Sequence, residues 1–245
     1  MAFSLNGKKI VITREKQQAK VFSNLIRQYN GIPYETPLIE ITCFTRQNLN
    51  IQDYDWIFFT SANGVDCFFK LGYSLSTSSI AVVGNKTNKA LQKYGYTAQF
   101  IPTVFTADNM AEEFMRKYSA KKILLVRGNR SRPVLIDEFG KNHIDFDTVE
   151  VYKTTFSNTY AKDFQSLFTK PNMVDFITFT SPSTVEACMN VIKNTRMLNH
   201  VLSTNCVCIG TTTANRAKEI GFRDILVPEQ FTIEGMVKRM CNYIR

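Results

Sequence analysis

Histidine is nearly absent. His143 and His200 stand too far apart in sequence to suggest a ligand pair and fall among loop-like residues, so both are expected at the surface. The six cysteines, at 43, 67, 188, 206, 208 and 241, contain no C-x-x-C pair and no metal-ligand spacing. No apolar run approaches the ~20 residues that a membrane helix needs. The opening MAFSLNGKKIVIT lacks a basic region followed by a long apolar run. A soluble protein of the reduced cytoplasm is therefore expected, with no membrane partner. No basic helix or RNA-stacking motif appears, so the pattern does not favour nucleic acid. What the composition does supply is positive charge: 30 Lys and Arg against 21 Asp and Glu, a net +9. That excess favours a polyanion, whether nucleic acid, phosphate or polycarboxylate, and charge alone cannot choose among them. With 245 residues, 44% of them hydrophobic, the chain can bury one large core or two small ones.

The chain repeats itself. Lys121 to Arg127 (KKILLVR) matches Lys8 to Arg14 (KKIVITR) at an offset of 113, and Phe179-Thr180-Ser181 matches Phe59-Thr60-Ser61 at 120. Gly210 to Pro228 runs against Gly84 to Pro102 without a gap at 126, and Phe231, Thr232 and Met236 continue against Phe105, Thr106 and Met110. Short apolar runs (Lys8 to Thr13, Trp56 to Phe59, Ile80 to Val83) alternate with helical stretches, the first from about Gln17 to Asn30 and closed by Gly31. Alternation of this kind predicts parallel sheets covered by helices on both faces, so the fold class is α/β, two doubly wound domains related by an internal repeat.

Two extended stretches organise the repeat, Ile32 to Glu40 and Ile144 to Tyr152, which match at an offset of 112 and read as linker strands. The second runs on through Val149 to Thr154 with alternating apolar and polar residues, as a half-buried strand should. Two arrangements fit the repeat: a tandem pair divided near residue 118, or an exchange in which each leading β-α unit joins the other copy.

In open parallel sheets, ligands bind at the carboxyl ends of strands, where helix N-termini present N–H groups. Polar residues gather at those ends: Thr13 and Arg14, Thr60 to Asn63, Gly84 to Thr87, Arg127 to Arg130, Thr180 to Ser183, and Gly210 to Thr213. Such ends offer N–H and hydroxyl donors beside Arg14, Lys86, Arg127, Arg130 and Arg132, with neither metal ligands nor a nucleophile and base pair. Holding carboxylates or phosphates suits them better than hydrolysis does.

The succession ITR, FTSANGV, VVGNKT, LLVRG, VEVYKT, FTSPSTV, IGTTTA and ILVPEQFTIEGMV, in this order over nearly the whole chain, resembles the uroporphyrinogen-III synthase family. The resemblance implies two α/β domains joined by a two-stranded linker ribbon with exchanged connectivity. Residues 1–33 with 155–245 would form one discontinuous domain, 41–148 the other, and 34–40 and 149–154 the linker strands. It also implies a cofactor-free reaction of haem biosynthesis. Hydroxymethylbilane, handed over by hydroxymethylbilane synthase, would lose its hydroxyl to give an azafulvene, pass through a spiro intermediate and close with its terminal ring inverted. A monomer is expected. The substrate's carboxylates give the basic strand ends a task, and domains on a flexible ribbon could close over it.

The family's functional residues fall here on Ser61, Thr87, Tyr152, Ser181, Thr212 and Thr213, with Tyr152 the expected catalytic group. Substrate-binding roles are expected for these others and for Arg14, Lys86, Arg127 and Gly128. Asn205 stands where relatives can carry a lysine. Plainer readings exist beside these. Thr60-Ser61 and Thr180-Ser181 can serve as helix N-caps, Tyr152 as a packed aromatic, and Cys206 and Cys208, sharing a strand face, as core thiols. A two-lobed binding protein or regulator for a polyanion, using the same residues without chemistry, is the alternative function.

Overall fold

A computed structural model of the chain describes residues 3–45, 47–75, 77–169 and 173–244. It divides into two compact units, Met1–Glu40 with Thr155–Arg245, and Ile41–Thr154. The chain opens in the first unit with β1 (Lys9–Ile12), α1 (Lys16–Gln28) and β2 (Ile32–Glu35). It passes to the second through β3 (Ile39–Cys43), then β4 (Trp56–Phe59), α2 (Ala62–Lys70), β5 (Ser79–Val82), α3 (Asn85–Gln92) and α4 (Ala107–Lys117). There follow β6 (Ile123–Gly128), α5 (Val134–Lys141) and β7 (Phe146–Phe156), along which the chain returns. The first unit is completed by α6 (Ala161–Ser166), β8 (Phe176–Phe179), α7 (Pro182–Ile192), α8 (Leu198–Leu202), β9 (Asn205–Cys208), α9 (Thr211–Ile220), β10 (Ile225–Leu226) and α10 (Ile233–Tyr243).

The first unit's sheet has the order β10-β9-β8-β1-β2, every pairing parallel. The second has β3-β7-β6-β4-β5, with β7, β6, β4 and β5 parallel. The leading β1 and β2 thus share a sheet with the last third of the chain. Read from opposite edges the two orders are the same: β9 answers β5, β8 answers β4, β1 answers β6 and β2 answers β7. Even β10 has its counterpart, because Leu226 pairs with Val207 as Phe100 bridges Ala81, both at the repeat offset of 126.

Helices cover both faces of each sheet because the central strands are predominantly apolar and successive side chains point to opposite sides. In β1, Ile10 and Ile12 pack with Phe22 and Ile26 of α1 and Met236 and Met240 of α10, whereas Val11 packs against Val185 of α7 and Ala217 of α9. In the second unit, Ile57 and Phe59 face α2 and α3, and Trp56 and Phe58 face α4 and α5. Complete burial of a side chain such as Phe22, Phe58 or Phe114 contributes roughly 1.5–3 kcal/mol.

Some expectations change in detail. The stretch Ile32 to Glu40 resolves into two strands, β2 paired with β1, and β3 beside β7. The strand register pairs Ile10 with Pro33 and Ile123 with Phe146, so β2 and β7 correspond at 113, one residue from the sequence match at 112. Helix α1 ends because Asn30 turns left-handed at φ 58°. Gly31 follows for packing: a Cβ there would lie 2.7 Å from Leu5 Cδ1. His200 is half-buried rather than superficial, its Nδ1 2.9 Å from the Phe168 carbonyl oxygen and its ring edge-on to Phe168. Cys206 and Cys208 do share a buried face, Sγ to Sγ 3.5 Å. Cys43 of β3 and Cys67 of α2, which no sequence motif links, form a disulfide with Cα atoms 5.3 Å apart.

Candidate functional site

In the second unit the carboxyl ends of β4 and β6 meet the bend of β7. Beyond Phe59 the chain turns at Ser61, whose extended backbone (φ −156°, ψ 153°) stops it joining the helix and whose Oγ accepts the Gly64 N–H at 3.0 Å. This is N-capping as the plain reading expects. The same Oγ lies 3.1 Å from the Tyr152 hydroxyl.

Tyr152 reaches that position through a break in its strand. Up to Arg127 and Glu150, β6 and β7 pair residue for residue; Gly128 then pairs with Tyr152, so Val151 is an extra residue, a bulge. Strict alternation would place Tyr152 on the face opposite Val149 and Val151. The bulge resets the phase, and all three side chains enter one apolar cluster with Phe59 and Val65. Only glycine is tolerated opposite, because a Cβ on Gly128 would lie 2.3 Å from Tyr152 Cζ.

Nearby, the Ser131 Oγ accepts the Gly128 N–H at 3.1 Å. Burial pushes the Tyr152 pKa above the ordinary tyrosine value, and the contacts with Ser61 and Ser131 pull the other way. Ser131 signals itself in sequence only by standing three residues after Gly128. Arg127 is turned inward, its Nη2 donating to the Ser131 carbonyl oxygen at 2.8 Å and its Nε 4.0 Å from Glu150 Oε1.

Beyond β5, Gly84 occupies the N-cap of α3 and has no side chain to accept the helix's first N–H groups. Thr87 is buried in the first turn, and Lys86 is exposed beside it. The same device recurs in the first unit. Gly210 is the N-cap of α9, with Thr212 exposed and Thr213 buried in its first turn. Ser181 departs from its counterpart Ser61: it is the N-cap residue of α7 yet makes no side-chain capping bond, and its Oγ instead lies 2.9 Å from Ser183 Oγ.

Beyond β1, Arg14 is 6% exposed, a buried cation whose Nη2 donates to Gln18. Its Nε has no hydrogen-bond partner among the described residues. Burial lowers its pKa to about 10, with the neighbouring Glu15 carboxylate opposing. Asn205 begins β9, at the opposite end of the strand from these residues, and is committed there to the Asp175 carbonyl and the Tyr243 hydroxyl.

The structure therefore brings Ser61, Arg127, Gly128 and Tyr152 together and sets Lys86 and Thr87 at a neighbouring strand end. Arg14, Ser181, Thr212 and Thr213 stand at strand ends of the other unit. Among the described residues no three His, Cys, Asp or Glu side chains gather as metal ligands.

Residues 20–238 match the family model described as uroporphyrinogen-III synthase HemD. The chain is 30% identical over 238 residues to a putative uroporphyrinogen-III synthase of Methanocaldococcus jannaschii, covering 94% of this chain and 96% of that one. It is also 30% identical over 252 residues to the porphyrin biosynthesis protein HemD of Ruminiclostridium josui, covering 97% of this chain but 49% of that protein, about half its length. Among solved structures, a mutant uroporphyrinogen III synthase of Thermus thermophilus aligns over 97% of this chain and 100% of its own, with a TM-score of 0.66. At 15% identity that likeness speaks for the fold alone.

Proposed function

The chain belongs to the uroporphyrinogen-III synthase family, and on that premise we propose that it is a lyase that closes hydroxymethylbilane to uroporphyrinogen III, with loss of water and inversion of the terminal ring. The observation that carries this reading is the buried Tyr152 hydroxyl at the strand ends, held by Ser61. The C–O bond of the hydroxymethyl group breaks as the pyrrole nitrogen pushes electrons toward it. The departing oxygen needs a proton to leave as water. Tyr152 is a protonated donor at neutral pH, since its pKa lies above the ordinary value near ~10. The phenolate it leaves is reprotonated by the proton that the ring system releases on closing.

The other residues hold and orient. N–H groups at the starts of α3 and α9, left without a side-chain acceptor by Gly84 and Gly210, suit carboxylates. Thr87, Thr212 and Thr213 add hydroxyl groups there, Ser181 adds one beyond β8, and Lys86 adds a cation. Arg14 is buried without a carboxylate partner among the described residues, and the burial of that charge is offset when a substrate carboxylate reaches it. Arg127 and Gly128 frame the tyrosine. Orienting the two ends of a flexible bilane supplies most of the selectivity, because correct placement replaces a large entropic cost. A monomer that takes the bilane from hydroxymethylbilane synthase completes the proposal.

The test is incubation with hydroxymethylbilane and separation of the product isomers. Type III product formed at an enzymatic rate is expected. Type I product alone, formed at the spontaneous rate, would sink the reading.

A further inference from the structure

We propose that the Cys43–Cys67 disulfide is a redox modification site, opened by a dithiol, that holds Tyr152 in place from two sides, so that its reduction lowers activity; the effect on activity rests on the cyclisation proposed above. The bond joins the end of β3 to α2. Both partners reach the tyrosine. Helix α2 starts at Ser61, whose Oγ lies 3.1 Å from the Tyr152 hydroxyl, and its first turn faces the ring: a Cβ on Gly64 would lie 3.9 Å from Tyr152 Cε1. On the other side, the chain just beyond Cys43 holds the backbone that carries Tyr152. The Phe44 N–H donates to the Val151 carbonyl oxygen at 2.9 Å, and the Gln47 side-chain amide donates to that of Glu150 at 3.3 Å.

Those two carbonyls belong to the bulge that turns the tyrosine into the apolar cluster. Strand β3 lies at the edge of its sheet, with a neighbouring strand on one side only. Pairing at the end of an edge strand opens easily, because few buried contacts oppose it. The disulfide supplies the tie that a second neighbouring strand would otherwise give. Cys67 belongs to the cluster of Val149, Val151 and Tyr152, and Cys43 packs against it. Loss of the tie therefore loosens the packing around the ring as well as the bulge.

The chemistry is thiol–disulfide exchange. Cys67 is 3% exposed whereas Cys43 is half-buried, so an incoming thiolate meets Cys43 Sγ first. A bond forms from the dithiol to Cys43 as the bond to Cys67 breaks, and Cys67 leaves with the electron pair and takes up a proton. The second thiolate of the dithiol then attacks its own first sulfur, and Cys43 is released as a thiolate that is protonated in turn. The protein gains two electrons and two protons, and the dithiol becomes a disulfide. Cys188, Cys206, Cys208 and Cys241 are all buried and all lie in the first unit, so exchange at this pair can be read apart from them.

The experiment takes the full chain, oxidised and then reduced with dithiothreitol, and measures kcat and KM with hydroxymethylbilane; iodoacetamide labelling reads the thiols of Cys43 and Cys67. Reduction should open both to the label and lower kcat severalfold to about a hundredfold at nearly constant KM, the upper figure being the cost of a misplacement of about 1 Å. Reoxidation should restore it. The double change Cys43→Ser and Cys67→Ser should fix the low kcat and abolish the response to dithiothreitol. In Tyr152→Phe, reduction should change kcat little further. A pair that dithiothreitol leaves closed in the folded chain, an equal kcat in the two states, or a loss in Tyr152→Phe as large as in the wild type overturns the proposal. A wild-type chain that makes no type III product in either state overturns the cyclisation instead. The NMR resonance of ζ-¹³C-labelled Tyr152, assigned from Tyr152→Phe, then still decides: it should shift on reduction, and an unmoved resonance overturns the hold on Tyr152.

Discussion

In the second unit, Ser61 follows β4, caps α2 and touches Tyr152; in the first, the corresponding Ser181 follows β8, makes no side-chain capping bond and turns to Ser183. Beyond the paired strands β6 and β1 the divergence continues. The second unit has Arg127 folded onto its own turn, with Gly128 leaving room for a tyrosine. The first has Arg14 buried with nothing on its Nε among the described residues. One strand order thus carries two settings, a buried tyrosine hydroxyl beside Ser61 and a buried arginine. The repeat supplies a frame of strand ends and helix starts. Single residues at equivalent positions decide what each frame does, and the helix starts capped by Gly84 and Gly210 are where the two remain alike.

The sharpest difference in stability lies in the disulfide. Cys43 and Cys67 close a loop spanning 24 residues in the second unit, whereas Ala187 stands where the repeat would put a second Cys67. A loop of that length is worth ~3 kcal/mol. Reduction by dithiothreitol, or the double change Cys43→Ser and Cys67→Ser, should lower the melting midpoint, with hydrogen exchange rising in residues 41–154 and little altered elsewhere. Exchange that rises equally in both units would remove this contrast.

Next comes the tyrosine hydroxyl. Tyr152→Phe should lower kcat severalfold to about a hundredfold, within the lower range for general acid catalysis, with KM nearly unchanged. The remaining product should still be type III, because selectivity belongs to how the substrate is held. A wild-type rate would refute the acid role. Loss of type III selectivity at normal bilane consumption would show that Tyr152 places the terminal ring instead.

On the other side of the comparison, Arg14→Leu should raise KM by about tenfold, the loss expected of one hydrogen bond to a charged group. It should also raise the melting temperature, because a buried charge whose desolvation outweighs the attraction of Glu15 is replaced by an apolar side chain. A variant that melts lower with KM unchanged would make Arg14 a structural residue.

The smallest expected effect is alkaline. Tyr54, Tyr94 and Tyr152 all lie in the second unit and all hold pKa values above the ordinary tyrosine value, chiefly through burial. Tyr54, donating to Asp147 at 2.9 Å, is pushed up to about 12. A raised folded-state pKa means that this stability is fully present below the unfolded value of ~10 and is lost as pH rises through the folded one. Between pH 10 and about 12 the second unit should therefore loosen first, and Asp147→Asn should bring the onset to lower pH. Hydrogen exchange that rises in the first unit beforehand would contradict this.

Much of this architecture is legible in the residues. The alternation of apolar runs with helical stretches, and the offsets of 113, 120 and 126, follow from spacings that local physics imposes: a buried parallel strand must be apolar on both faces, and a helix start wants a capping or small residue. The strand ends carrying Ser61, Thr87, Arg127, Ser181 and Thr213 were legible for the same reason, since in a parallel sheet the chain order alone says which end of each strand leads into a helix. Less was visible wherever a contact joins distant segments. Cys43 and Cys67 belong to no motif because β3 and α2 meet only through the sheet. Arg127 reads as a free cation until the turn to Ser131 is built beneath it.

Tyr152 draws the line most clearly. The sequence alone determined that an aromatic hydroxyl sits near the end of a strand equivalent to β2. Alternation within that strand would have turned it away from Val149 and Val151. The bulge at Val151 turned it toward Ser61 instead. A bulge is a mismatch of register between two strands, set here by Gly128 of β6 leaving open the space into which the ring fits. No pattern within β7 contains that information, so only the tertiary structure could decide which face the tyrosine takes.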